Sequence, residues 1–203
     1  MTLQELQNEF PNVTESTWHQ HHNGGGWVEN TARVNASAYV GPDAVVYGYA
    51  QVFGNAWVYG NTHVYGDAKV SGNARVFENA RVSGNAMVFG NAMVFGNAWV
   101  FGNTHVYGDA EVSGNARVFE NTWVSGHAQV FGNARVFGNA WVFENAVVCG
   151  NAWVFGNAVV YENARVYENA WVYENAVVYG YAWVFGNTMV YETCLCGSNS
   201  MFY

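Results

Sequence analysis

The sequence repeats a six-residue unit, and this period constrains the fold more than any other feature. Val occupies every sixth position from Val28 to Val190, which makes 28 valines without an insertion or an exception. Two residues before each valine from Val34 onward stands Ala, or Thr in four units. The unit is therefore Ala-x-Val-aromatic-Gly-Asn, as in segment 98–103. Such a fixed period is typical of solenoid proteins.

Each unit predicts one short strand followed by one turn. Strand side chains alternate between two faces, so Ala and Val share the inner face while x points outward. Gly and Asn tolerate the left-handed backbone conformation, so the remaining three residues are expected to form a corner. An α-helix is excluded, because a period of six would place successive valines about 240° apart around the helix axis.

This pattern resembles the left-handed parallel β-helix family of hexapeptide-repeat proteins, and the resemblance covers residues 26–203. In that family three hexads make one triangular coil. The resemblance therefore implies an all-β, single-stranded, left-handed parallel β-helix of about ten coils, roughly 45 Å long. Residues 18 apart would stack, which predicts hydrogen-bonded ladders of corner residues such as Asn61, Asn79 and Asn97, and stacks of Phe and Tyr.

The N-terminal segment departs from the repeat and is expected to cap it. Thr2 and Glu5 have the spacing of a capping box, and Pro11 ends the short amphipathic helix predicted for residues 2–10. We therefore divide the chain into residues 1–25, a cap helix with a glycine-rich lead-in, and residues 26–203, the β-helix.

The C-terminal residues keep the six-residue phase, with Cys194 and Ser200 in the Ala slot and Cys196 and Phe202 in the Val slot. Nothing in the sequence predicts a helix or loop over the last coil. An unprotected strand edge is a template for another chain, so end-to-end assembly is expected there. The alternative is a frayed end that stays monomeric.

The outward x residues become apolar toward the C-terminus. Sorted by the 18-residue period, one side carries Arg33, Gln51, Lys69, Met87, His105 and then an apolar run, a second side ends in tryptophans and Met189, and the third holds Val147, Arg165, Trp183 and Met201. A contiguous apolar surface usually marks an interaction site. The predicted assembly or binding residues are Trp123, Trp141, Val159, Val177, Leu195, Trp153, Trp171, Met189, Trp183, Cys196 and Phe202.

These features predict a non-enzymatic structural protein, a rod that self-assembles into a fibre or oligomer. The first alternative is a phage-type or adhesin-like module that binds glycans through stacked Trp. The second is an acyltransferase, an activity that the family resemblance implies. It is disfavoured because the repeat has no ejected loop, and because His63, His105 and His127 lie at surface positions of the repeat. We therefore expect no catalytic, cofactor or metal site, and the chain is predicted not to be an enzyme.

Charge and composition further limit the classes of partner that are expected for the chain. A net charge of −8 gives no basic stripe for a phosphate backbone, so nucleic acid is not expected as a partner. No apolar stretch is long enough for a transmembrane helix, and residues 1–10 lack the basic start of an export signal. Cytoplasmic synthesis with later release or incorporation into a particle is the expectation. The three cysteines have no pairing or metal-ligand pattern and are expected to be reduced.

Overall fold

The computed structural model describes residues 1–197 and 201–202, and these form a parallel β-solenoid with one short helix. The chain returns to the same sheet at every third strand, so three hexads complete one coil. Within a sheet, strands pair in parallel at an offset of 18 residues, as in the pairing of Val124 with Val142. The predicted all-β architecture of about ten coils with an N-terminal helix is confirmed.

Three sheets form the three sides of the solenoid. Side 1 consists of strands Arg33–Val34, Gln51–Val52, Lys69–Val70, Met87–Val88, His105–Val106, Trp123–Val124, Trp141–Val142, Val159–Val160, Val177–Gly180 and Cys194–Gly197. Side 2 consists of Trp18–Gln20, Trp27–Glu29, Val45–Val46, His63–Val64, Arg81–Val82, Trp99–Val100, Arg117–Val118, Arg135–Val136, Trp153–Val154, Trp171–Tyr173 and Met189–Tyr191. Side 3 consists of Tyr39–Val40, Trp57–Val58, Arg75–Val76, Met93–Val94, Glu111–Val112, Gln129–Val130, Val147–Val148, Arg165–Val166, Trp183–Val184 and Met201–Phe202.

The core is the column of inward Val and Ala side chains, which runs the length of the solenoid. Val124 and Ala128 are fully buried, as are most residues in the same two slots. Where Thr replaces Ala, the hydroxyl is satisfied locally: Thr104 Oγ1 donates to the Phe101 carbonyl oxygen at 2.7 Å. Inward and outward positions thus follow the alternation of strand side chains.

From Gly48 to Glu192, the corners depend on a left-handed backbone at the fifth residue of each hexad. Gly96 has φ +72°, and a Cβ built there would lie 2.8 Å from the backbone nitrogen of Gly114 on the next coil. Glutamate nevertheless occupies this slot seven times, for example Glu144 with φ 60°. Glycine is favoured at these corners both by its conformational freedom and by the close approach of consecutive coils.

Ladders of corner side chains connect the coils. Asn103 donates to Asn121 at 2.9 Å, and Asn121 donates to Asn139 at 3.2 Å, so one amide chain runs along the corner between sides 2 and 1. The aromatic residue after each valine stacks in the same way, with the Phe101 and Phe119 rings 4.9 Å apart and nearly parallel. The predicted Asn ladders and aromatic stacks are therefore present.

The N-terminal helix, Leu3–Glu9, packs against the outer surface of side 2. Its capping box is formed, with Thr2 Oγ1 accepting from the Glu5 backbone N–H. Leu6 is buried among the aromatic and aliphatic side chains of the lead-in and of the first coils, including Trp27 and Val45. Trp27 is only 7% exposed, although it occupies an outward position. The first outward positions of side 2 are thus covered by the chain itself.

The lead-in contains a strand that the sequence did not predict. Residues Trp18–Gln20 pair antiparallel with Trp27–Glu29. The glycines of the intervening turn run beside the edge strand of side 3, and Gly26 donates its N–H to the Val40 carbonyl at 2.9 Å. A Cβ on Gly24 or Gly26 would collide with backbone carbonyl oxygens of this edge, which explains the glycine run.

The register of the last coil corrects one prediction. Strand Cys194–Gly197 pairs with Val177–Gly180 at an offset of 17 residues, so Leu195 lies beside Val178. Leu195 therefore takes the inward slot and packs against the core, whereas Cys194 and Cys196 are exposed. Because strand alternation has a period of two, one missing corner residue exchanges the two faces.

The remaining C-terminal predictions are only partly covered by the described residues. Phe202 pairs with Val184, which matches its predicted slot. Ser200, which was expected in the Ala slot, lies outside the described residues. None of the described helices is long and apolar enough to cross a membrane.

Candidate functional site

The apolar run on side 1 is the most continuous of the predicted surfaces. Trp123 pairs with Trp141, Trp141 with Val159, and Val159 with Val177 on four consecutive coils. Trp123 and Trp141 are 38% and 47% exposed, and the two valines are half-buried. We call these four residues the side 1 strip. It carries no charged side chain, and Leu195 does not extend it, because that side chain points inward.

The tryptophan rings stack along the solenoid axis, so their flat faces are covered by neighbours. The Trp123 and Trp141 rings are 5.3 Å apart at 13°, and the other face of Trp123 is next to the His105 ring at 4.9 Å. Trp153 and Trp171 on side 2 are 5.0 Å apart at 5°. Solvent therefore meets ring edges. This geometry disfavours sugar stacking, which requires an accessible ring face.

Side 2 combines arginines and tryptophans at its outward positions between Arg81 and Trp171. The guanidinium carbons of Arg81 and Arg117 each lie 5.2 Å from the Trp99 ring, one on the preceding and one on the following coil. Arg135 lies 4.9 Å from the Trp153 ring. Met189 extends this side and is exposed. The predicted side 2 residues Trp153, Trp171 and Met189 thus form a short apolar run that adjoins a cation–π ladder on the preceding coils.

Side 3 combines one cation with a cavity at the following corner. Arg165 separates Val147 from Trp183, and its guanidinium carbon is 5.4 Å from the Trp183 ring. The neighbouring cavity is about 350 Å³ and also borders Cys149. Burial raises the pKa of the Cys149 thiol, an effect that the positive charge of Arg165 partly opposes. Trp183 is half-buried.

The histidines of the coils have three different environments. His63 is not a simple surface residue: its Nε2 lies 3.4 Å from Glu9 Oε1, and its side chain is largely covered. Burial lowers the pKa of His63, while the Glu9 carboxylate acts in the opposite direction. His105 has a buried Nδ1 without a hydrogen-bond partner among the described residues. His127 is exposed, 3.7 Å from Asp109.

The rings of His21 and His22 are 4.6 Å apart, but the three lead-in histidines do not converge on one point. His19 Nδ1 is 2.8 Å from Asn30 Oδ1, and His21 Nε2 is 3.0 Å from the Ala38 carbonyl oxygen. Burial is the main cause that lowers the pKa of His21. Within the described residues, no group of three or more His, Cys, Asp and Glu side chains is arranged to hold a metal ion.

Sequence reasoning missed the interruptions in the aromatic ladders. Ser125 and Cys149 stand where most units have Phe or Tyr, and a cavity lies beside each of them. The signal was present in the sequence as a small residue in the aromatic slot. The sequence does not show which outward residues surround each gap, because those residues come from other coils.

Comparison with known proteins supports the solenoid architecture. A family model described as the YdcK beta solenoid repeat matches residues 50–66, 80–94, 110–126 and 128–144. These four segments make up about a third of the chain. No curated protein sequence matches the chain.

Among solved structures, the chain is similar to the Arabidopsis UDP-N-acetylglucosamine acyltransferase. The identity is 14% and the TM-score is 0.61, over 79% of this chain. The chain spans 64% of the length of that acyltransferase chain. At this identity the likeness shows a shared fold.

The similarity overturns one prediction. The chain was expected not to be an enzyme, because its repeat is uninterrupted. That exclusion is wrong, since an enzyme of known structure shares the parallel solenoid over most of this chain. The fold and the repeat match establish the coarser conclusion: the chain is a β-solenoid repeat protein.

Proposed function

We propose that the protein is a rod-like structural protein that associates with copies of itself through the side 1 strip. The observation that carries the proposal is the uninterrupted apolar surface from Trp123 to Val177, in which the two tryptophans are exposed and the two valines half-buried. Apolar surfaces of this kind on soluble proteins usually mark interaction sites. The edge-on tryptophans favour packing against another protein surface over stacking against a sugar ring.

A second copy is the partner that this surface fits. Two flat sheet faces pack about 10 Å apart when their outward side chains interdigitate. A contact of the side 1 strip with the same strip of another copy is isologous and closes as a dimer of rods. Because each rod carries a net charge of −8, association is expected to strengthen as salt screens the repulsion.

Sedimentation across a concentration series tests the proposal with a matched pair of variants. Trp141→Glu places a charge within the strip, whereas Trp57→Glu changes a residue of equal exposure, 48%, on side 3. We expect Trp141→Glu to weaken association at least about tenfold, because burying an unpaired charge is costly. Trp57→Glu should associate as the unmodified chain does. A chain that stays monomeric at all concentrations, or equal behaviour of the two variants, would refute the proposal.

We further infer that the solenoid is left-handed, as in the hexapeptide-repeat family that the sequence resembles. The support is the return of the chain after three hexads and the uniform Ala-x-Val unit. An experimental density map that resolves the coil from Val28 to Val46 is the test. A right-handed coil in that map would contradict the inference.

Acyl transfer is a second candidate, favoured by the similarity to the Arabidopsis enzyme. His105 is the histidine to test, because its Nδ1 is buried without a partner among the described residues. The assay is chromatographic detection of free coenzyme A from acetyl-coenzyme A with UDP-N-acetylglucosamine. Turnover that His105→Gln abolishes and His19→Gln preserves would support this candidate. Absence of turnover at high protein concentration would count against it.

A further inference from the structure

The aromatic ladders set a fixed distance between successive rings. Phe119 lies between Phe101 and Phe137, with both centroid distances 4.9 Å and all planes within 3°. This spacing follows from the strand separation and falls within the range preferred by aromatic pairs. A ring in the ladder is therefore sandwiched at a distance that the backbone imposes.

Two rings are missing from the ladder at the corner between sides 3 and 2, one at Ser113 and one at Cys149. Phe131, Cys149 and Tyr167 occupy this corner on consecutive coils. The backbone is undisturbed there, since the Phe131 N–H donates to the Val148 carbonyl at 3.0 Å and the Cys149 N–H to the Val166 carbonyl at 2.9 Å. Two strand spacings, about 10 Å, thus separate the ring positions on either side of Cys149.

The space beside the gap at Cys149 is a cavity that is partly open to solvent. Its volume is about 350 Å³, and it is lined by Phe131, Val147, Cys149, Arg165, Tyr167 and Trp183. Phe131 is 38% exposed, more than the other coil phenylalanines whose burial the structure describes, because Ser113 and Cys149 are its neighbours in the ladder. The lining is aromatic and aliphatic, with one thiol and one cation.

Arg165 gives the cavity its charge. The guanidinium lies over the Trp183 ring, which leaves its N–H edge available for a planar anion. Within the part of the chain that the structure describes, Arg165 takes part in none of the ion pairs. An arginine held in this way is suited to a carboxylate.

We propose that this cavity binds an aryl carboxylate, a planar aromatic ring that carries an anionic group. The ring takes the place of the missing rung between Phe131 and Tyr167, and the carboxylate accepts hydrogen bonds from Arg165. The site is on side 3 and does not involve the side 1 strip, so it is independent of self-association.

The gap at Ser125 provides an internal contrast. It lies between Tyr107 and Phe143, with Trp123 and Trp141 alongside, and its cavity is only about 120 Å³. No cationic side chain lines it. A missing ring is therefore common to both corners, whereas the larger volume and the positive charge are properties of the Cys149 site.

Calorimetric titration with 2-naphthoate tests the proposal, with cyclohexanecarboxylate as a non-planar anion of the same charge. Cys149→Phe restores the missing ring and fills the cavity, while Ser71→Phe fills a ladder gap at another corner. We expect binding of naphthoate that Cys149→Phe abolishes, that Ser71→Phe leaves intact and that Arg165→Gln weakens roughly tenfold or more. Cyclohexanecarboxylate should bind much more weakly.

Thiol alkylation gives a second readout that needs no variant. Bound naphthoate should slow the reaction of Cys149 with iodoacetamide, while exposed Cys194 and Cys196 react at an unchanged rate. Unchanged alkylation of Cys149 at saturating naphthoate would overturn the proposal. So would equal binding of naphthoate to the unmodified chain and to a folded Cys149→Phe variant, or equal affinity for the two carboxylates.

Discussion

Val159 and Val160 are adjacent in the chain, yet their side chains lie on opposite faces of the same strand. Val160 is fully buried in the core, and Val159 is a half-buried residue of the side 1 strip. Each pairs with a valine on the next coil. Substitution of each residue in turn therefore distinguishes the contribution of a core valine to stability from that of a surface valine.

Truncation of this pair should have unequal effects on stability. We expect Val160→Ala to lower the free energy of unfolding by about 2 kcal/mol, because it removes buried methyl groups and leaves a cavity. Val159→Ala should lower it by less than about 1 kcal/mol. Urea denaturation followed by circular dichroism measures both. Equal losses would mean that the inward and outward assignments do not govern stability.

Two glycines with a left-handed backbone, Gly25 in the lead-in turn and Gly96 at a corner of the coils, distinguish the cost of backbone strain from the cost of steric contact. Gly25 and Gly96 have similar positive φ values, 77° and 72°, but only at Gly96 would a Cβ meet the next coil, 2.8 Å from a backbone nitrogen. We expect Gly25→Ala to destabilise by about 1 kcal/mol from the left-handed conformation alone. Gly96→Ala should cost at least about 1 kcal/mol more, since the neighbouring coil must shift.

The comparison is made by thermal and urea unfolding of the two variants. Seven glutamates already occupy such corner slots, so a side chain there is tolerated at a cost. If Gly25→Ala proved as damaging as Gly96→Ala, close approach of the coils would not be the reason for glycine at the corners.

Removal of a stacked ring should cost more than removal of an isolated one. Phe119 has a parallel ring on both sides at 4.9 Å, whereas Ser113 and Cys149 flank Phe131 in its ladder. Each aromatic pair contributes about 0.5–1.5 kcal/mol beyond the area it buries. Phe119→Ala should therefore destabilise by about 1–3 kcal/mol more than Phe131→Ala, measured by urea denaturation. Equal losses would argue against ladder stacking.

The contact of the N-terminal helix with side 2 should weaken in acid. Burial lowers the pKa of His63 from 6.5 in spite of Glu9, and Arg81 acts in the same direction as burial. The unfolded segment therefore binds a proton more readily than the packed one. The stability that this contact contributes is fully present above pH 6.5. It decreases as the pH falls below 6.5, until the histidine is protonated in the folded state as well.

Hydrogen exchange of the helix amides at pH 7.5 and pH 5 measures this effect, after correction for the intrinsic exchange rate. We expect protection of Leu3–Glu9 to decrease at the lower pH, and His63→Gln to reduce that decrease. His127→Gln, at an exposed position, should leave it unchanged.

The six-residue period predicts which side chains point outward, but it does not predict how exposed those side chains are. The repeat correctly assigns Trp27 and Trp141 to outward positions, yet the first is buried under the N-terminal segment and the second is exposed. Alternation along a strand depends on the local backbone, whereas cover depends on distant residues such as Leu6. The lead-in strand Trp18–Gln20 was missed for the same reason, since it has no repeat to reveal it.

The sequence alone determined the solenoid, the inward valines and the stacking of corner side chains, because a strict six-residue period repeats one local geometry on every coil. The tertiary structure decided what depends on neighbouring coils. It placed Leu195 in the core through a register of 17 residues, and it covered the tryptophan faces with adjacent side chains. It also brought Arg165 beside the gap at Cys149. Such relationships join residues far apart in the chain, so a pattern within a single hexad cannot encode them.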